Sequence, residues 1–198
     1  MLSHAMSQGE WPKSTGGVLA NRTLGILGFG RLGQPVAKIA QAFGMRVIVW
    51  NRKEVQTTTE QGIDAFPLDE LLAQSDIVSI HLRLASETRN LINKERLAKM
   101  QPHALLINTS RGAIIDEEAL IEALSHNRIG GAGLDVFATE PLPADSPLRT
   151  LSNVVLTPHI GWQVQEVFNE FSGIAADHLS AWLEGKLPAE EVLNPETM

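Results

Sequence analysis

The chain reads as an α/β fold, a doubly wound parallel sheet, on three observations. Short continuous apolar runs recur along it, at 23–27, 47–50, 77–80, 104–107, 132–136 and 154–156, and such runs suit strands buried on both faces. Segments with helical apolar spacing separate them, which is the pattern of a parallel sheet covered on both sides with right-handed crossovers. A length of 198 residues with 43% hydrophobic residues supplies one sizeable core without disulfide or metal staples.

Residues 1–20 carry Gly9, Pro12, Gly16 and Gly17 among polar neighbours with no periodicity, so they read as a leader or the remnant of something longer. From Thr23 the pattern sharpens. The run 23–27 ends at Gly28, after which Val36, Ile39, Ala40 and Phe43 recur at helical spacing and Gly44 suits a C-cap. The β-branched run 47–50 reads as a buried strand, 68–73 as a short helix, 77–80 as a strand, 93–100 as a helix and 104–107 as a strand. Asp116 suits an N-cap, and Glu117 and Glu118 place negative charge at the positive end of the following helix dipole. Strands at 132–136 and 154–156 follow. A last helix over 163–184 sets Val164, Phe168, Phe171, Ala175, His178 and Trp182 on one face, with His178 packed there.

Composition narrows the chemistry. The chain has no cysteine, which excludes disulfides, thiolate metal sites and a cysteine nucleophile. It has no tyrosine, so no phenol serves as proton donor. A net charge of −7 with 16 scattered basic residues argues against a nucleic-acid partner. The apolar runs fall far short of the ~20 residues that cross a bilayer, so no membrane partner is expected. The first residues lack the basic start and apolar core of a signal peptide, which points to the cytoplasm. No H-E-x-x-H or comparable ligand spacing supports a metal site.

Gly28-Phe29-Gly30-Arg31-Leu32-Gly33 is a G-x-G-x-x-G that follows a strand and opens a helix, the context in which the pattern binds dinucleotides. Gly28 permits the tight turn, Gly30 lets backbone approach a pyrophosphate, and Gly33 allows close helix–strand packing. Amides near Arg31 and Leu32 then face the phosphates with the helix dipole behind them. The expected fold is therefore Rossmann-type, with 21–185 as the dinucleotide-binding domain and 186–198 as a tail. About 20 residues on, where an NAD site usually carries a carboxylate, stand Asn51, Arg52 and Lys53. Asn51 removes the charge that would repel a 2′-phosphate, and Arg52 and Lys53 either pair with that phosphate or remain solvated surface charges. NADP(H) is thus expected to bind at least as well as NAD(H).

Three further motifs follow in order: Asn108-Thr109-Ser110-Arg111-Gly112, Gly133-Leu134-Asp135-Val136-Phe137 with Glu140-Pro141, and Thr157-Pro158-His159-Ile160-Gly161. With the glycine loop they resemble the D-isomer-specific 2-hydroxyacid dehydrogenase family over about residues 11–195. The resemblance implies that Arg111, Glu140 and His159 are catalytic. Each type suits the reduction of a small 2-oxo acid such as glyoxylate or hydroxypyruvate. A histidine titrates near neutral pH and delivers the proton, a neighbouring carboxylate orients it, and an arginine fork pairs the substrate carboxylate. The bland alternatives are a surface arginine after a turn, a glutamate in an exposed loop and a histidine capping the following helix.

The resemblance also implies coenzyme contacts at His81, Leu82 and Arg83 under the adenosine, where Arg83 replaces the family's usual proline. It implies others at Thr88 near the pyrophosphate, at Thr109 and Ser110, at Asp135 on the nicotinamide amide, and at His159 and Gly161. Thr88 otherwise caps a helix, and Asp135 otherwise only ends a strand. Family members carry a substrate domain largely upstream of the dinucleotide domain. Only 27 residues precede Gly28 here, so residues 1–20 are expected to be a leader or the remnant of that domain, with coenzyme binding but weak or absent turnover unless another polypeptide supplies the wall. A homodimer through the last helix or 117–125 is implied too. The alternative to an oxidoreductase is a non-catalytic dinucleotide-sensing or dimerisation module.

Overall fold

The computed structural model describes residues 2–13, 15–52, 62–188 and 191, so Lys53 lies outside the described residues. It divides into two compact units, Met1–Leu156 and Thr157–Met198, and the expected 21–185 span contributes to both.

The first unit runs α1 (Leu2–Ser7), β1 (Thr23–Leu27), α2 (Gly33–Ala42), β2 (Arg46–Trp50), β3 (Asp64–Ala65), α3 (Leu68–Gln74), β4 (Ile77–Ile80), α4 (Lys94–Leu97), β5 (Leu105–Asn108), α5 (Glu117–Ser125), β6 (Gly131–Leu134) and β7 (Val154–Leu156). The strands form one parallel sheet in the order β3-β2-β1-β4-β5-β6-β7, a Rossmann-type α/β arrangement. All five residues of β1 are buried because both faces are covered. Leu24 and Ile26 pack with Ala37 and Ala40 of α2, while Leu27 joins Leu71 and Leu72 of α3 and Leu120 and Leu124 of α5 on the other side. This two-sided burial explains why the strands are continuously apolar rather than alternating. Register aligns the carboxyl ends: Leu27 pairs with Trp50 and Ile80, Ile80 with Asn108, and Asn108 with Leu134. Strand order reverses between β1 and β4, and in open α/β sheets ligands bind in the crevice at that reversal.

Several boundaries differ from the sequence reading, each for a local reason. The helix expected over 93–100 is confined to α4: the Asn93 side chain accepts from the Arg96 amide at 3.0 Å and sets its start as N-cap, and Ala98 closes it. The strand expected to reach Val136 ends at Leu134, although Asp135 and Val136 stay buried beyond it. Residues 2–7 form a helical turn and a half that the periodicity did not reveal. Asp116 is the N-cap of α5, accepting from the Ala119 amide at 3.1 Å, and Gly44 follows α2 at a left-handed φ of 75°.

The second unit holds α6 (Gln165–Leu183). None of its residues is buried. The expected apolar face, including Phe168, Phe171 and Trp182, is exposed, and His178 is not packed but lies 2.8 Å from a Glu191 carboxylate oxygen. No helix among the described residues is long and apolar enough to cross a membrane.

Candidate functional site

The turn after β1 is shaped by backbone crowding. Gly28 sits at a φ of 100° and donates its amide to Trp50 O at 2.8 Å; a Cβ there would stand 2.6 Å from His81 O. A Cβ on Gly33 would lie 2.3 Å from Gly28 O, so α2 closes directly onto the turn. Gly30 differs, since nothing lies within 4 Å of its Cβ position. Its bareness serves no internal contact and leaves the space that a diphosphate would fill. Leu32 precedes α2 without a side-chain cap, and although the Gln34 amide bonds back to Gly30 O at 3.0 Å, no capping side chain covers the positive dipole end of the helix. Arg31 and Leu32 are exposed at this edge.

Beside the turn a cleft of about 500 Å³ is lined by Gly28, Gly30, Asn51, Arg52, His81, Leu82, Arg83 and Thr88. The structure thus brings most of the expected adenosine-side residues to one place. Asn51 does more than remove a charge: its Oδ1 accepts from the Phe29 amide at 2.7 Å, tying the end of β2 to the glycine turn. Arg52 reaches across to Glu87, Nη1 to Oε1 3.3 Å. Burial pushes the His81 imidazole below the usual histidine range, and its Nε2 sits 2.9 Å from Ser79 Oγ. Thr88 is buried, and its hydroxyl donates to Arg83 O at 2.7 Å and accepts from the Ala85 amide at 2.8 Å. Its visible work is to fold the 83–88 loop.

The loop after β5 is organised by Asn108, which is fully buried. Its Nδ2 donates to Arg111 O at 2.9 Å and its Oδ1 accepts from the Ser110 amide at 3.0 Å. Ser110 Oγ donates to Ile80 O at 2.7 Å, fastening the loop to the carboxyl end of β4. Thr109 and Arg111 are exposed on it, and Arg111 Nη1 donates to Ser110 O at 2.6 Å. Gly112 then abuts the loop after β6: a Cβ there would lie 1.9 Å from Phe137 C. In that second loop the buried Asp135 donates its amide to Asn108 O at 3.0 Å. Glu140 Oε1 accepts from the Phe137 amide at 3.0 Å, ahead of a cis peptide to Pro141. Arg111 and Glu140 therefore stand on adjoining loops.

His159 and Gly161 belong to the second unit. His159 has a φ of 53° and donates its amide to Thr157 O at 3.1 Å. The helix that follows is entered through Val164 without a side-chain cap, so His159 is not its N-cap. Sequence reasoning passed over Asn108, Gly112 and Glu87 as separate contributors. The signal for Asn108 was a polar residue closing a buried apolar strand; none marked Glu87.

Comparison with known proteins gives the family. The family model for the D-isomer specific 2-hydroxyacid dehydrogenase NAD binding domain matches residues 1–161. The chain belongs to this dehydrogenase family. Glyoxylate/hydroxypyruvate reductase B of Pectobacterium carotovorum is 44% identical over the whole of this chain and 63% of its own length. Among solved structures, a glyoxylate reductase from Paecilomyes thermophila superposes with a TM-score of 0.81 at 39% identity, over 94% of this chain and 57% of that one. A family member from Xanthobacter autotrophicus, in complex with NADPH and MES, gives 0.71 at 39% identity over 80% and 51%. The chain thus spans about three fifths of the length of the first two of these relatives.

Proposed function

We propose that this chain binds NADP(H) at least as well as NAD(H) along the Gly28–Gly33 turn and serves the reduction of a small 2-oxo acid such as glyoxylate or hydroxypyruvate. The observation that carries the reading is the open face at Gly30, set between two glycines that are each required by internal packing. The residues present fit a dinucleotide: a bare turn and an uncapped helix start for the diphosphate, the cleft from Asn51 to Thr88 for the adenosine, and Asp135 for the nicotinamide amide.

The bound coenzyme supplies the hydride that reaches the carbonyl carbon. His159 donates a proton to the carbonyl oxygen and takes one back in the reverse direction. The family resemblance gives Glu140 the part of the orienting carboxylate, and the Arg111 fork pairs the substrate carboxylate. With no acidic residue between Trp50 and Glu54 and with Arg52 at the cleft, the end of β2 offers a 2′-phosphate a cation and no carboxylate of its own. The reading carries with it a homodimer in the cytoplasm, and sedimentation at micromolar concentration checks the oligomeric part.

Titration with both reduced coenzymes, followed by glyoxylate or hydroxypyruvate while the reduced coenzyme's absorbance is watched, tests the proposal. Binding of NADPH as tight as or tighter than that of NADH is the expected result, and a marked NADH preference would overturn the coenzyme assignment. A second reading is a non-catalytic dinucleotide-sensing or dimerisation module. Coenzyme binding without turnover of either acid selects it.

A further inference from the structure

We propose that Glu87 is a coenzyme-specificity residue: it holds Arg52 across the mouth of the adenosine cleft and competes with a 2′-phosphate for that guanidinium. The inference deepens the NADP(H) reading above and rests on it. Arg52 follows β2 on one lip of the cleft, and Glu87 stands in the loop after β4 that forms the other lip. The two meet at 3.3 Å, with Arg52 Nη1 facing Glu87 Oε1. The carboxylate is built into place. Its Oε2 accepts from Ser86 Oγ at 2.9 Å, and its loop is pinned beneath by the buried Thr88 hydroxyl, bridging Arg83 O and the Ala85 amide. The Glu87 backbone amide first, then Ser86 and Arg52, hold the carboxyl below its usual range, so it is fully charged at neutral pH.

The two coenzymes make different demands on this pair. A 2′-hydroxyl carries no charge and can be received with the Arg52–Glu87 contact intact. A 2′-phosphate draws on the same guanidinium, so it competes with Glu87 for the Arg52 donors and stands beside a second anion. Both partners are about half exposed, 48% and 60%, so the pair is screened and exchangeable rather than locked. Glu87 therefore penalises NADP(H) selectively, and by a modest factor.

The test measures NADPH and NADH dissociation constants for the full chain and for Glu87→Gln, Arg52→Ala and the double variant. Glu87→Gln is expected to tighten NADPH binding by about two- to fivefold, the worth of an exposed ion pair, with a smaller change for NADH. Arg52→Ala is expected to weaken NADPH by about tenfold or more relative to NADH, the loss of a charge-assisted contact. Glu87→Gln placed on Arg52→Ala should lose most of its effect, because two residues that act on each other are not additive. If Glu87→Gln leaves the NADPH-to-NADH ratio unchanged while Arg52→Ala lowers it, the Glu87 inference falls and the NADP(H) reading stands. If Arg52→Ala leaves NADPH binding unchanged, the NADP(H) reading itself falls. Failure of the unaltered chain to bind either coenzyme overturns both.

Discussion

Asn108 and Arg111 illustrate how single side chains set up this site. A buried primary amide left unbonded is costly, and Asn108 avoids that by bonding two backbone groups of its own loop. The loop that results holds Arg111 out toward solvent, where a planar fork can meet a carboxylate. Replacing that fork with Arg111→Lys is expected to weaken use of the 2-oxo acid while coenzyme affinity stays, because an ammonium offers no paired donors. His159→Ala is expected to lower kcat by about 10²–10⁴-fold, the range of a general acid–base contribution, with little loss of coenzyme affinity. Steady-state kinetics beside coenzyme titration separates the two effects, and unaltered kinetics in both variants would sink the role assignments. The family resemblance of the motifs is what singled out these two residues. Asn108 was visible only as a letter of the motif, because its value lies in bonds to Ser110 and Arg111 that exist once the loop has closed.

Whole loops and helices meet here with no room to spare, and glycine marks the tightest meetings. The loop opening at Gly112 lies against the Phe137 backbone, where a Cβ would fall 1.9 Å from Phe137 C and 2.1 Å from its oxygen. Gly112→Ala must therefore push apart the two loops that carry Arg111 and Glu140. The expected outcome is a loss of at least about 1–3 kcal/mol, the usual scale of overpacking, read as a lower urea midpoint together with lost coenzyme binding. Unchanged stability would mean that the loops are not held at this distance. At this scale the strands and the larger helices were legible, since β1, β2 and α5 follow from apolar runs and an Asp116 cap. The short pieces were less so. Strand β3 has two residues, a length at which periodicity carries no information and only pairing with a neighbour defines the element, while α4 was read as a helix but too long, at 93–100 against Lys94–Leu97.

Across the whole sheet, the amino-terminal edge is tied together at the end opposite the site. Asp76, just ahead of β4, accepts from the Thr23 amide of β1 at 2.7 Å, from Arg22 at 3.1 Å, and pairs with His103 ahead of β5 at 2.7 Å. Partial burial works against its ionisation, but the Thr23 amide, His103 and Arg22 outweigh that and hold the carboxyl below its ordinary value of 3.8. A carboxylate with a depressed folded-state pKa stabilises the protein above its unfolded pKa, and the contribution is lost as pH falls through the folded value. Asp76→Asn is therefore expected to lower stability at neutral pH by about 1–3 kcal/mol. Denaturation curves recorded at descending pH should show the gap to the unaltered protein closing below about pH 4. A gap that is independent of pH would show that the charge of Asp76 is not what matters.

The fold class, the glycine turn and the identity of the chemical groups were already present in the linear order of residues. A helix stripe, a cap or a turn needs only partners a few positions away, and its steric and hydrogen-bonding rules act on neighbours in the chain. Three features depended on folding in space: the meeting of Arg52 with Glu87, the abutment of Gly112 on Phe137, and the tie from Ser110 to Ile80. Each joins groups distant along the backbone. Sheet register and the return path of each loop decide such pairings, and neither is encoded in any short stretch of residues.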